Sequence, residues 1–176
     1  HRLDGDEMLP LLANTRPTFL CMLPAALFAL VRDHNATSEH FHSLRLCVSG
    51  GDKVSGELER EFTAIAGKAI DELYGMTETG MNTSNPLEGE RRAGTVGPAL
   101  PGVTARVVDD AGEVLPVGET GNLQVQGPNV FPGYWRMPEK TAEDFTEDGF
   151  FNTGDKATKD ADGYVSIVGR SKDMII

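Results

Sequence analysis

Between Leu3 and Ile70 the sequence alternates helix-patterned segments with short β-forming runs, and no other feature restricts the fold as much. The series runs LDGDEMLPLLANT, TFLCML, PAALFALVRD, LRLCVSG, GELEREFTAIAG and AIDELYG. Strands separated by helices are too far apart in sequence for tight hairpins, so they pair in parallel, with the helices covering the sheet. In the first helix Asp6 is expected as the N-cap. That choice puts Pro10 in the first turn, where backbone N–H groups have no intrahelical partner to lose.

After about Arg92 the rhythm changes. TARVVDDAGEVLPVGETGNLQVQG and GFFNTGDKATKDADGYVSIVGR alternate polar and apolar residues in short strands, with DDAG and DADG supplying Asp and Gly where tight turns need them. The expected fold class is therefore α/β. A partial parallel α/β subdomain (1–92) is followed by a small antiparallel, β-barrel-like subdomain (93–168), and the Gly- and Pro-rich NPLEGERRAGTVGPALPG serves as the loop crossing between them. MPEKTAEDF reads as a short surface helix with Pro138 in its first turn.

Composition narrows the function. With 27 acidic and 16 basic side chains the formal charge is -11, which repels phosphate backbones and argues against nucleic-acid binding. Cys21 and Cys47 lie inside apolar runs, away from metal-ligand spacing, and read as buried free thiols of a reducing compartment. No apolar run approaches the roughly 20 residues that span a bilayer, and HRLDGDEMLP has no signal-peptide stretch, so a cytoplasmic protein with no membrane span is expected.

The chemistry concentrates in ELYGMTETG, Glu72–Gly80. If AIDELYG is a parallel strand, MTETG follows its carboxyl end, where open α/β sheets place their ligand crevice. Tyr74 offers a ring to stack on a flat base, Gly75 a close backbone approach, Thr77 a hydroxyl for a phosphate oxygen and Glu78 a hard oxygen ligand for Mg2+. Taken alone, such a cluster is more often a strand end and capped turn. SGGDK adds the adjacent glycines Gly50 and Gly51 after another strand, FFNTGDK adds Asp155 as an acceptor for ribose hydroxyls, and GRSKD adds the fixed donor fork of Arg170. Each of these also has a plain structural reading: a tight turn, a turn-capping Asp, a surface Arg.

In this order SGGDK, ELYGMTETG, GTVGPALPGV, GETGNLQVQGPNVFPGYW, FFNTGDK and GRSKD resemble the acyl-adenylate-forming enzymes, which include acyl-coenzyme A synthetases, luciferases and peptide-synthetase adenylation domains. YGMTETGMNTSNP and FPGYWRMPEKT are most similar to the malonyl-coenzyme A synthetase branch. The resemblance implies that Tyr74 stacks on adenine, Gly50 and Gly51 line its face, and Thr77 touches the α-phosphate. It likewise implies that Glu78 holds Mg2+ and that Asp155 and Arg170 bind the ribose. Thr77 and Glu78 would be the catalytic pair. Residues 169–176 would begin a hinge at Lys172 toward a further domain. Asp52 departs from the small residue many relatives carry.

The implied reaction uses ATP, coenzyme A and a carboxylic acid, with acyl-AMP formed first and a thioester second. The family's phosphate-cradling loop and its C-terminal lysine are not among these residues, so the 176-residue chain alone is expected to be inactive and to self-associate through an exposed apolar edge. Arg91 and Arg92 offer a fork for the far carboxylate of malonate or a small relative, although a pair of arginines in a polar loop more commonly stays solvated or pairs with neighbours such as Glu88 and Glu90. Asn82, Thr83, Ser84 and Asn85 suggest a polar lining. The alternatives are a medium- or long-chain fatty-acid ligase, a peptide-synthetase domain, or a non-catalytic nucleotide-binding fragment.

Overall fold

The computed structural model describes residues 4–171, so Lys172 lies outside the described residues. The chain divides into two compact units, His1–Leu73 and Tyr74–Ile176.

In the first unit, helix α1 (Gly5–Thr15) is capped by Asp4, whose carboxylate accepts from the Asp6 amide at 3.0 Å. The helix thus starts earlier than an Asp6 cap allows, and Pro10 sits inside it. Proline there removes an amide donor to the Asp6 carbonyl, a cost carried by the burial of Leu9 and Leu12. Strand β1 (Phe19–Met22), helices α2 (Pro24–Arg32) and α3 (Ser38–Phe41), strand β2 (Leu46–Ser49), helix α4 (Gly56–Ala66) and the start of β3 (Ile70–Met76) follow. The one-turn α3 has too few residues to show a period in the sequence. Ser55 caps α4 by accepting from the Leu58 amide at 3.1 Å, and Gly67 ends it at φ 67°.

β1 and β2 pair in parallel with Leu20 beside Cys47, and β2 and β3 with Cys47 beside Ile70, as the alternation demands. The helices bury Leu27, Phe41, Leu44, Leu58 and Phe62 with Cys47 and Ile70 in one apolar core. Burial pushes the Cys47 thiol up to about 12. Cys21 departs from the expectation of two buried thiols: strand alternation turns it, with Phe19, to the exposed side of β1. β1 ends the hydrogen-bonded order of its sheet, which gives this unit the exposed apolar edge expected of it.

In the second unit the end of β3 passes through the turn at residues 77–79 into β4 (Gly80–Ser84), its hydrogen-bonded neighbour. Strands β5 (Thr104–Val108), β6 (Gly121–Gln126), β7 (Phe151–Lys159) and β8 (Val165–Arg170) form an antiparallel sheet in that order, with helix α5 (Pro138–Asp144) between β6 and β7. The sheet is open, with no closed barrel among the described residues. Both acidic turns form as read. Asp109 Oδ1 accepts from the Ala111 and Glu113 amides, Asp160 Oδ1 from those of Asp162 and Tyr164, and Gly112 and Gly163 take φ 88°.

The Gly- and Pro-rich stretch is irregular, but it belongs within this unit, because the division falls at Leu73/Tyr74 and not near Arg92. It is stitched down: the Val96 amide donates to the Val165 carbonyl at 2.8 Å and the Val165 amide to the Gly97 carbonyl at 3.0 Å. Gly97, at φ 77°, passes so close to Ser84 that a Cβ would lie 2.0 Å from the Ser84 carbonyl carbon. None of the described helices is long and apolar enough to cross a membrane.

Candidate nucleotide site

Strand pairing places Asp155 of β7 opposite Arg170 of β8. Asp155 is buried at 6% exposure, and two residues far apart in sequence, Tyr74 and Arg170, meet at its carboxylate. The Tyr74 hydroxyl donates to Oδ2 at 2.5 Å, and Arg170 Nε lies 3.4 Å from Oδ1. Burial, reinforced by the hydrogen bond to Asp155, pushes the Tyr74 phenol well above its ordinary range, so it stays a donor near neutral pH. The Arg170 side chain is 68% exposed, so the cluster presents a solvent-facing cation beside a fixed carboxylate. Such a pair suits a ligand that brings both hydroxyl donors and an anionic group.

Glu78 occupies the turn between β3 and β4, with Thr77 exposed, Glu78 half-buried and Thr79 fully buried. Asn129 secures that turn: its amide donates to the Thr79 carbonyl at 2.7 Å, the Met81 carbonyl at 3.1 Å and Asn82 Oδ1 at 3.0 Å. The Phe131 amide donates to the Glu78 carbonyl at 2.8 Å, and the Tyr134 hydroxyl to Glu78 Oε1 at 3.2 Å. Burial and the neighbouring carboxylates of Asp144 and Glu78 push Tyr134 up to about 12. Glu78 Oε2 accepts none of these bonds. One carboxylate oxygen open at a half-buried turn fits Mg2+, which takes one or two protein carboxylates and completes its octahedron with water and phosphate. A denser cluster of candidate ligands occurs elsewhere, at Asp4, Asp6 and His34.

Backbone geometry by itself requires glycine at position 75, since a Cβ there would lie 2.1 Å from the Gly80 carbonyl oxygen. In the first unit Gly50 packs against Leu73, where a Cβ would meet Cδ1 at 2.8 Å, and Gly51 has φ 82°. The Val54 amide donates to Glu72 Oε1 at 3.1 Å, which ties down the far end of that loop, while Asp52 caps the Lys53 amide at 2.7 Å. Burial raises the Glu72 carboxyl.

The expected carboxylate fork is not open at Arg92. Its guanidinium donates to Glu90 at 3.0 and 3.1 Å, to Asp160 at 2.5 Å and to Asp162 at 2.6 Å, and it lies 4.2 Å over the Tyr164 ring. Arg91 is exposed. The polar run after Glu78 is likewise turned to internal bonding: Asn82 donates to Thr79 Oγ1, and Asn85 donates to the Thr95 carbonyl and accepts from the Arg92 amide. The sequence alone assigns no site role to Asn129, Phe131, Tyr134 or Trp135. Trp135 is 84% exposed, and Tyr134 reaches Glu78 across 56 residues, a pairing that no local pattern carries.

The sequence pattern of the AMP-binding enzyme family matches residues 1–135. The malonate–CoA ligase of Arabidopsis thaliana is 46% identical over 128 residues, covering 73% of this chain and 21% of that protein. A long-chain-fatty-acid–CoA ligase of Yersinia pestis is 39% identical over 149 residues, covering 84% and 26%. The ATP-bound crystal structure of MatB from Rhodopseudomonas palustris superposes with a TM-score of 0.92 at 49% identity, covering 99% of this chain and 34% of that one. The chain therefore spans between 21% and 34% of the length of these relatives. The family pattern over most of the chain, and this likeness in sequence and structure, establish that the chain belongs to the AMP-binding enzyme family.

Proposed function

We propose that a protein carrying this chain is a cytoplasmic, AMP-forming acid–thiol ligase that activates a carboxylic acid with ATP and passes the acyl group to coenzyme A. The convergence of Tyr74 and Arg170 on the Asp155 carboxylate carries this reading. Asp155 would accept from the ribose hydroxyls with Arg170 beside it, and the Tyr74 hydroxyl, tethered to Asp155, would fix its ring for stacking on adenine. Thr77, exposed on the turn, would offer its hydroxyl to the α-phosphate.

In the first half-reaction a carboxylate oxygen attacks the α-phosphorus and pyrophosphate leaves. In the second, the thiolate of coenzyme A attacks the acyl carbon and AMP leaves. Two anions must meet in the first step, so the protein's contribution is to hold them in line and offset their charge. Mg2+ held by Glu78 with the phosphates would neutralise charge on the triphosphate. Lys172 would serve as the hinge between the half-reactions.

For the acid, malonate or a small relative is favoured by the 46% identity to the Arabidopsis malonate–CoA ligase and by the 41% identity to a malonyl-CoA ligase solved with methylmalonyl-CoA and AMP. The Yersinia relative keeps a long-chain acid as the second reading. One experiment tests both levels: ATP–pyrophosphate exchange by the full-length protein with malonate and with palmitate, for wild type and Glu78→Gln. The expected result is a higher kcat/KM with malonate and a loss on the order of 100-fold in Glu78→Gln, about 2.7 kcal/mol of transition-state stabilisation. Preference for palmitate would overturn the substrate. Unchanged exchange in Glu78→Gln at matched Mg2+ would overturn the role of the turn.

A further inference from the structure

Glu78 is held by a segment that has no part in the nucleotide cluster. Phe131 and Tyr134 touch it twice, the Phe131 amide at the Glu78 carbonyl and the Tyr134 hydroxyl at Oε1. The segment is itself braced. The Tyr134 amide donates to Thr141 Oγ1 at 2.9 Å, and Thr141 Oγ1 donates to the Met137 carbonyl at 3.0 Å, which anchors the tyrosine to the start of α5. The Tyr134 ring stands edge-on to Phe131 at 4.8 Å, and Phe131 packs on Phe145 at 6.0 Å and Phe151 at 5.6 Å. The phenol has one proton to give and two carboxylates near it. The hydroxyl hydrogen bond goes to Glu78 Oε1 at 3.2 Å, while Asp144 accepts from Lys140 Nζ at 2.7 Å.

We infer that Tyr134 is a positioning residue for the metal-binding carboxylate: it fixes one oxygen of Glu78 and turns the other toward the cation. The inference rests on the reading of Glu78 as the Mg2+ ligand. A half-exposed glutamate without a fixed donor spreads over several rotamers, and only a fraction of them suit a cation. One donor to Oε1 selects among them while leaving Oε2 unoccupied, as outer hydrogen bonds do for ligating side chains generally.

Tyr134→Phe removes the hydroxyl and keeps the ring against Phe131. The test uses the full-length protein with ATP and no carboxylic acid, so that no acyl transfer occurs, and follows Mn2+ binding by paramagnetic resonance. AMP calorimetry and thermal melting run alongside. Tyr134→Phe is expected to weaken Mn2+ about tenfold, with AMP affinity and Tm unchanged, and to add nothing in a Glu78→Gln background. Unchanged Mn2+ affinity in Tyr134→Phe, when Glu78→Gln lowers it, would overturn the inference while sparing the metal role of Glu78. A further loss in the double variant, or a joint fall in AMP affinity and Tm, would show a structural tyrosine and overturn it as well. If Glu78→Gln itself binds Mn2+ normally, the reading of Glu78 fails first and the inference falls with it.

Discussion

The two compact units use their polar residues in different ways. In the first, the core is mostly apolar: Phe41 and Phe62 are fully buried with their rings 5.2 Å apart, Ser49 and Asp71 are the polar side chains buried with them among the described residues, and the prominent ion pairs, from Arg32 to Glu57 and Glu61, lie at its surface. In the second, Thr79, Asn82, Thr83, Asn85, Gln124, Thr153 and Asp155 are buried beside the apolar residues. Most of these make hydrogen bonds that hold a turn, a loop or a neighbouring strand in place. Apolar burial is non-directional and stabilises whatever packs well, whereas a buried polar group tolerates few geometries and so fixes atoms in position. The unit with the nucleotide cluster is the one built with that stricter material.

If this contrast is right, a cavity in the first unit costs stability and a polar deletion in the second costs binding. Phe62→Ala is expected to lower stability by about 3–5 kcal/mol, read from denaturant melts, because the lost ring leaves space beside Phe41 that the helices cannot close. AMP affinity of whatever remains folded should be unaltered. Equal losses of stability and AMP affinity would break the distinction.

Asp155→Ala probes the other side. The Tyr74 hydroxyl loses its acceptor in a half-buried setting, so a loss of about 1–3 kcal/mol of stability is expected. AMP affinity should fall at least roughly tenfold, because a charge-assisted contact is worth more than a neutral one. Calorimetry separates the two effects. Wild-type AMP affinity would remove Asp155 from the site.

The smallest effect sharpens the comparison, since here the units should behave alike. Hydrogen bonds from Arg32 hold the Glu61 carboxyl below its ordinary value, and those from Arg92 do the same for Glu90. A depressed folded value means that the stabilisation is complete above the ordinary value of 4.5 and fades as pH falls through the folded one. Melting temperatures should therefore be insensitive to these pairs near neutral pH and decline below 4.5. Arg32→Gln and Arg92→Gln should each flatten that decline, and more so in low salt. An acid slope unaltered by either substitution would show that other groups set it.

The parallel strands, their helices, the acid-capped turns and the irregularity of the Gly- and Pro-rich stretch were all legible in the sequence, because each is written in residues close together along the chain. Asp4 in place of Asp6 as the cap, and the short α3, were missed for a local reason: one turn of helix or a shift of two residues changes the period very little. Arg92 was left between two readings for a different one. Its residue type fits a carboxylate fork anywhere, and only the return of the β7–β8 turn, 68 residues on, brings Asp160 to occupy it.

Residue order alone determined that the chain makes α/β units and then antiparallel strands, and that Tyr74, Glu78, Asp155 and Arg170 follow one another in a family's sequence. Hydrophobic period, turn chemistry and motif order are all short-range or one-dimensional properties. Tertiary structure decided that Tyr74 donates to Asp155 across 81 residues, that Gly75 is required by the Gly80 carbonyl, and that Tyr134 reaches Glu78. The two tyrosine contacts depend on distances of 2.5 and 3.2 Å between segments brought together only when the chain has folded. A shift of one residue in a strand turns every side chain to the opposite face, so no local signal carries them.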